Sequence, residues 1–304
     1  MNASLFRELI SSVVSPFEEL VAYEYLYADP KMTLRKMTAM TTGMGRTPSQ
    51  ALAEEFGLLD PKTSEEYREV ERYLTGKVGL FDLLVNGTPS WPQHLMESER
   101  PAPVLYYRGS ASHIGKPSVS VVGSRNASAE GLALAGRIAD QLAERGYGIV
   151  TGLARGIDAA ATASAIRYGA RTVGVIGTPI DEVYPKENEH LFDGIIEGEG
   201  LIISQVPFYR YSKQPFKTKR FYFPERNELM AAIATATGIV EASDTSGTLS
   251  QARACQYQGR PLFITRHACD SSVSWPLKWA GRPNVHVVDD GDDIAHILEG
   301  GCHE

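Results

Sequence analysis

Strand-like and helix-like runs alternate from Ser118 to Leu298, which predicts an α/β fold: a doubly wound, mostly parallel sheet behind a small helical domain. A second observation agrees. The short, mostly apolar run Val119–Val122 looks like a strand buried on both faces. The third is that glycine follows several of these runs at once, as in Val122-Gly123 and Thr151-Gly152, where a strand must turn sharply.

Taken in order, residues 1–75 read as helices. Leu5, Leu9 and Val13, then Phe17, Leu20 and Val21, form apolar faces broken by Pro16. Met32–Met40, Pro48–Phe56 and Ser64–Leu74 follow, separated by Gly43, Gly45, Gly57 and Pro61. This small domain carries no cluster that suggests chemistry, and a packing or interaction role is expected of it. The second domain spans 76–304. It opens with a junction in which Pro101 and Pro103 restrict Val104–Gly109 to an edge or lead-in strand. A βαβ unit comes next. Leu132, Leu134, Ile138 and Leu142 mark its helix, Ser128 can cap that helix, and Glu130 suits the first turn. The helix N-terminus offers N–H groups to an anion. Helices at Ile157–Arg167, Asn188–Ile196, Glu225–Ala236 and Thr248–Gln258 then alternate with strands at Thr172–Ile176, Leu201–Ser204, Gly238–Glu241 and Pro261–Thr265. Val285–Val288 and Asp292–Leu298 supply the last strand and helix.

Composition narrows the function. A hydrophobic fraction of 43% and a charged fraction of 22% are ordinary for a soluble protein. No run approaches the ~18 apolar residues that span a membrane, and Arg7, Glu8, Glu18 and Glu19 break up any signal peptide. Cys255, Cys269 and Cys302 are scattered, which fits a reducing, cytoplasmic setting and no disulfide framework. His267-x-Cys269 alone does not make a metal site, so neither metal nor cofactor is expected. A net charge of −7 argues against coating nucleic acid through global charge, while allowing a local basic face.

Ligands of such sheets sit at the carboxyl ends of the strands. There the sequence places Gly123-Ser124-Arg125, Gly152 with Arg155 and Asp158, Lys186 with Asn188, and Ser246-Gly247-Thr248. Glycines that expose backbone N–H groups, together with arginines and a lysine, suit phosphate. A loop from Tyr209 to Arg226 adds Arg210, Lys213, Lys217, Lys219, Arg220 and Arg226 against the single acid Glu225. Tyr209, Tyr211, Phe216, Phe221, Tyr222 and Phe223 are interleaved with them. Cations tracking a backbone and aromatic faces stacking on bases are what single-stranded nucleic acid requires. No nucleophile is paired with a base, and there is no Gly-x-Ser-x-Gly elbow or Walker lysine, so an enzyme is not expected.

The ordered motifs resemble the DNA-processing protein A family (DprA/Smf). They are Trp91-Pro-x-x-Leu95, Val121-Val-Gly-Ser-Arg125, Thr151-Gly-Leu-Ala-x-Gly-Ile-Asp158, Tyr184-Pro-Lys-Glu-Asn188, Phe223-Pro-x-Arg-Asn227, Val240-Glu-Ala and Ser246-Gly-Thr-Leu249. The resemblance implies an extended Rossmann-like fold and single-stranded DNA as ligand. It also implies a role in loading the recombination protein A recombinase during natural transformation, action as a homodimer, and no catalysis. It makes Arg125 and Lys186 phosphate contacts, with Gly123, Ser124, Gly152, Arg226, Asn227, Ser246, Gly247 and Thr248 shaping the pocket. Arg155, Asn188, Lys217, Lys219 and Arg220 complete the expected DNA-binding set.

The chain departs from the family pattern at Thr162, at Ser204-Gln205 and at Glu228, where the family commonly has a positive charge. The residues after Leu298 leave no room for the family's frequent C-terminal winged-helix domain. The competing expectation is a nucleotide sensor or a nucleotide-cleaving enzyme of the LOG type, whose Pro-Gly-Gly-x-Gly-Thr motif is reduced here to Ser246-Gly-Thr248.

Overall fold

In the computed structural model residues 15–57, 60–270 and 273–300 are described. The expected apolar positions Leu5, Leu9 and Val13, and Cys302, lie outside them. The chain divides into two compact units. The first holds residues 1–91, 102–105 and 207–213, so the expected boundary after residue 75 falls inside it. The second holds 92–101, 106–206 and 214–304.

Helices α1 (Pro16–Ala28), α2 (Leu34–Met40), α3 (Pro48–Phe56) and α4 (Glu65–Thr75) make up most of the first unit. Each starts at a hydroxyl residue, Ser15, Thr33, Thr47 and Ser64, whose short oxygen can satisfy an orphan N–H of the first turn. Leu20, Val21, Tyr23, Leu26 and Tyr27 of α1 are buried together with Tyr67, Val70 and Leu74 of α4. Two glutamates of α1 are buried as well, and each caps another segment. Glu19 accepts from Ser49 N at 2.8 Å, Ser49 Oγ at 2.6 Å and Thr47 Oγ1 at 2.9 Å, at the start of α3. Glu24 accepts from Phe208 N at 2.7 Å and Tyr209 N at 3.0 Å.

Nine strands form one sheet in the order β1-β2-β6-β5-β4-β3-β7-β8-β9. They are β1 (Asp82–Val85), β2 (Val104–Gly109), β3 (Ser118–Val122), β4 (Gly148–Thr151), β5 (Thr172–Ile176), β6 (Leu201–Ser204), β7 (Ala236–Ile239), β8 (Leu262–Thr265) and β9 (Val285–Val288). β2 runs antiparallel to β6, with Tyr106 opposite Ser204. From β6 to β9 every pairing is parallel. β1 is not among the strands expected from the sequence. β2 begins directly after Pro103, as the missing proline N–H requires.

The helices of the second unit are α5 (Ala129–Glu144), α6 (Ile157–Tyr168), α7 (Glu189–Glu197), α9 (Phe216–Lys219), α10 (Tyr222–Ile233), α11 (Thr248–Tyr257), α12 (Arg266–Cys269), α13 (Trp275–Trp279) and α14 (Gly291–Leu298). α8 (Phe208–Lys213) belongs to the first unit. Val119 and Val121 of β3 pack on Leu134, Ile138 and Leu142 of α5 and on Ile157, Ala161 and Ala165 of α6. Truncating one of these buried leucines to alanine costs about 2–5 kcal/mol. The alternate β3 position, Ser120, is buried and accepts from Gln251 Nε2 of α11 at 2.8 Å.

Three expectations need correcting. Leu132 lies on the outer face of α5 and is exposed. The fifth strand is Ala236–Ile239 and its helix ends at Ile233, both earlier than the apolar pattern suggests. Ala236-Thr237-Gly238 is poor in β-formers, but its pairing between β3 and β8 overrides propensity. The stretch from Tyr209 to Arg226 is not a loop: it folds as α8, α9 and the first turns of α10.

Candidate functional site

Four strand ends, those of β3, β4, β5 and β7, are stitched together by buried polar contacts within the second unit. Asp158, in the first turn of α6, accepts from Gly152 N at 2.9 Å and from Gly123 N at 3.4 Å. Arg226 comes in from α10. Its Nη1 donates to Gly152 O at 2.5 Å and Val175 O at 2.8 Å, and its Nε to Asn227 Oδ1 at 3.0 Å. A Cβ on Gly152 would collide with that guanidinium, which is why no side chain fits there. Gly123 is constrained in the same way, since its Cβ would stand 2.5 Å from Glu241 O.

Both members of this floor are almost wholly buried, Arg226 at 5% and Asp158 at 4% exposure. Burial pushes the Asp158 carboxyl up, against the pull of Arg226 and of the N–H groups of Gly152, Gly123 and Ala154. Burial brings Arg226 down to about 10, opposed by Asp158 and reinforced by the like charge of Arg125. Arg226 therefore stays charged at neutral pH, but its hydrogen bonds are spent on the protein. Asn188 is spent in the same way, with Nδ2 donating to Leu153 O at 2.9 Å and Ala154 O at 3.1 Å. Thr162 Oγ1 bonds Asp158 O at 2.7 Å and Thr151 Oγ1 at 2.8 Å, so this departure from the family pattern is an internal tie.

Above the floor lies a cavity of about 320 Å³. Arg125, Arg155, Lys186 and the edge of Arg226 line it, with Glu187 as the one acid. Tyr184 and Phe223 supply aromatic walls, their rings 5.9 Å apart. The Arg125 guanidinium lies 5.6 Å from the Phe223 ring. Among the described residues no carboxylate pairs with Arg125, whereas Arg155 meets Glu187 at 3.3 Å and Lys186 meets Glu189 at 3.2 Å. An open groove of about 520 Å³ shares Arg125, Arg155 and Glu187 with this cavity and continues over Ala159, Ala160 and Ala163 of α6.

Of the expected site residues, Arg125, Gly152, Arg155, Lys186 and Arg226 come together here. Gly123 and Ser124 form the turn behind them, with Ser124 N donating to Glu241 O at 2.6 Å. Ser246, Gly247 and Thr248 do not line the cavity. They start α11, where Thr248 Oγ1 donates to Gly123 O at 3.2 Å and Asn227 Nδ2 to Gly247 O at 3.1 Å. Lys217, Lys219 and Arg220 also lie off it, on α9 and the turn after it. Of the six aromatics, Phe216 and Phe221 are exposed at 80% and 62%. Tyr211 and Tyr222 are buried, and Tyr209 and Phe223 are half-buried. Glu228 does not add a bare charge, because Arg100 donates to it through Nε at 3.0 Å and through Nη2.

Sequence reasoning missed the Asp158–Arg226 floor. The signal available was an acid on the first turn of a helix that follows a glycine loop. It also missed Glu241, which sits at the N-terminus of α5 that was expected to offer N–H groups to an anion: both its oxygens accept from Ser128 N. Among the described residues no helix is long and apolar enough to cross a membrane, and no cluster could hold a metal ion.

Residues 82–298 match the family model described as DNA recombination-mediator protein A. Protein Smf of Synechocystis is 37% identical over 186 residues, which are 60% of this chain and 45% of that one. The DNA processing protein DprA of Streptococcus pneumoniae is 33% identical over 254 residues, 84% of this chain and 83% of its own. The X-ray structure of DprA from that organism superposes with a TM-score of 0.72 at 26% identity, covering 96% of this chain and 99% of the other. DprA from Helicobacter pylori, solved for its single-stranded DNA binding mode, shares the fold with a TM-score of 0.61 at 24% identity, covering 73% and 97%.

Proposed function

Because the chain belongs to the DNA recombination-mediator protein A family (DprA/Smf), we propose that it binds single-stranded DNA through the cavity at the ends of β3, β4 and β5. The observation that carries this reading is the grouping of Arg125, Arg155 and Lys186 with two aromatic walls around one opening of about 320 Å³. Phosphate oxygens bind to the cations, and a base stacks on Tyr184 or Phe223. Backbone charge and stacking carry little sequence information, so the binding is non-specific. The adjoining groove gives the strand a way on from the cavity. Duplex binds more weakly because its bases are already stacked. The finer part of the proposal is that the protein acts as a homodimer and passes the strand to the recombination protein A recombinase, which family membership supports. No catalytic step is proposed.

The test is fluorescence anisotropy with a labelled oligonucleotide, single-stranded and duplex, across a salt series. Single strands are expected to bind more tightly, with affinity falling as salt rises at a log–log slope of ~0.7 per neutralised phosphate. Equal affinity for duplex, or no binding at low salt while a mononucleotide binds tightly, overturns the reading.

A further inference from the structure

In an open parallel sheet, ligands bind where the strand order reverses, and a nucleotide phosphate sits on the N-terminus of the helix that follows the strand there. In this chain the reversal falls at β3, which has β4 on one side and β7 on the other. The helix that follows is α5, sixteen residues long, with Ser128 as its N-cap.

That seat already holds an anion, and the anion belongs to the protein. Glu241, just past the end of β7, accepts from Ser128 N at 3.2 and 3.1 Å, from Ser128 Oγ at 2.7 Å and from His267 Nε2 at 3.1 Å. Gly131, in the first turn of α5, leaves the space, because a Cβ there would collide with the Glu241 carboxylate. Ser124 N to Glu241 O, at 2.6 Å, fixes the backbone on which the carboxylate is carried. Burial alone would push the Glu241 carboxyl up, but the Ser128 and His267 donors outweigh it and hold it below the usual carboxylate range.

The geometry points to Glu241 as a ligand-specificity residue: its carboxylate takes the place of a bound phosphate at the strand-order reversal and closes that seat to free nucleotides. Anions reaching this edge of the sheet are left with the cavity that Arg125, Arg155 and Lys186 line. The inference concerns a different anion seat from the proposed DNA site and stands or falls independently of it. It also bears on the LOG-type alternative, which needs a nucleotide held on this sheet edge.

The experiment follows the Ser128 and Gly131 amides by NMR during titration with inorganic phosphate, acetate and adenosine monophosphate. In the wild-type protein neither amide is expected to move. In Glu241→Ala both should move with phosphate or acetate, and millimolar anion should raise the thermal midpoint by at least ~2 °C, because only the folded state binds it. Glu241→Gln keeps the side chain in the seat and should respond to none of the three. Wild-type amides that move with phosphate or the mononucleotide overturn the inference, even if the alanine variant does not fold. A folded Glu241→Ala protein that ignores all three anions overturns it too. Loss or retention of oligonucleotide binding touches neither outcome.

Discussion

The floor and the rim of the cavity are both built from charged residues, and they differ in what water can reach. On the floor, Arg226 and Asp158 are almost sealed, and the bonds they make go to protein atoms. On the rim, Arg125, Arg155 and Lys186 are exposed, and the two with carboxylate partners hold them in surface pairs worth about 0–1 kcal/mol. A weak pair is readily exchanged for a phosphate, whereas a buried one is not. Residues of one sequence motif can therefore differ in kind: Gly152 is sealed against the Arg226 guanidinium, and Arg155, three residues on, is exposed with only a surface partner.

The largest expected effect tests the floor. Arg226→Met leaves Asp158 buried without its cation and should cost about 3–5 kcal/mol in urea unfolding. A variant as stable as the parent would mean that Asp158 is held neutral and does not depend on the charge of Arg226. Gly152→Ala comes next. Its Cβ forces the guanidinium to move and should cost about 1–3 kcal/mol by the same measurement.

The rim should behave in the opposite way. Arg125→Ala is expected to change stability by less than about 0.5 kcal/mol, while weakening single-stranded DNA of any sequence and lowering the salt slope by ~0.7. If it instead unfolds the protein, floor and rim are not distinct. Tyr184→Ala, which removes one aromatic wall of the cavity, should cost about 1–3 kcal/mol of binding with the slope unchanged, measured in the same salt series.

The smallest effect is pH-dependent. The folded Glu241 carboxyl sits below its unfolded value, so its contribution is present above the unfolded value and is lost as pH falls through the folded one. The unfolding free energies of the wild type and Glu241→Gln should differ at neutral pH by roughly what a helix cap contributes, ~1 kcal/mol. They should converge on the acid side.

Much of the sheet was legible because its central strands are buried on both faces. Val119–Val122 and Thr172–Ile176 announce themselves as mostly apolar runs between turn signals. β1 was not, because Asp82–Val85 is only four residues long and lies outside the strand–helix alternation that marks the crossovers. The cationic residues of the cavity could be read from their positions after strands. The burial of Arg226 could not, since an arginine bound for the interior has the same composition signal as one bound for solvent. The Tyr209–Arg226 stretch misled for a related reason: its aromatics divide between exposed Phe216 and Phe221 and buried Tyr211 and Tyr222. Only packing separates the two kinds.

Glu24 bears on how the chain is made. Its partners, the amides of Phe208 and Tyr209, are synthesised long after α1 has left the ribosome. Until then the first unit lacks residues 207–213, and with them two of the donors to a carboxylate that is fully buried in the finished protein. The first unit is therefore incomplete until a segment roughly two-thirds of the way along the chain has been made. A fragment ending at Trp91 should accordingly be cleaved by protease at sites the full chain protects, and adding the 207–213 peptide in trans should restore part of that protection.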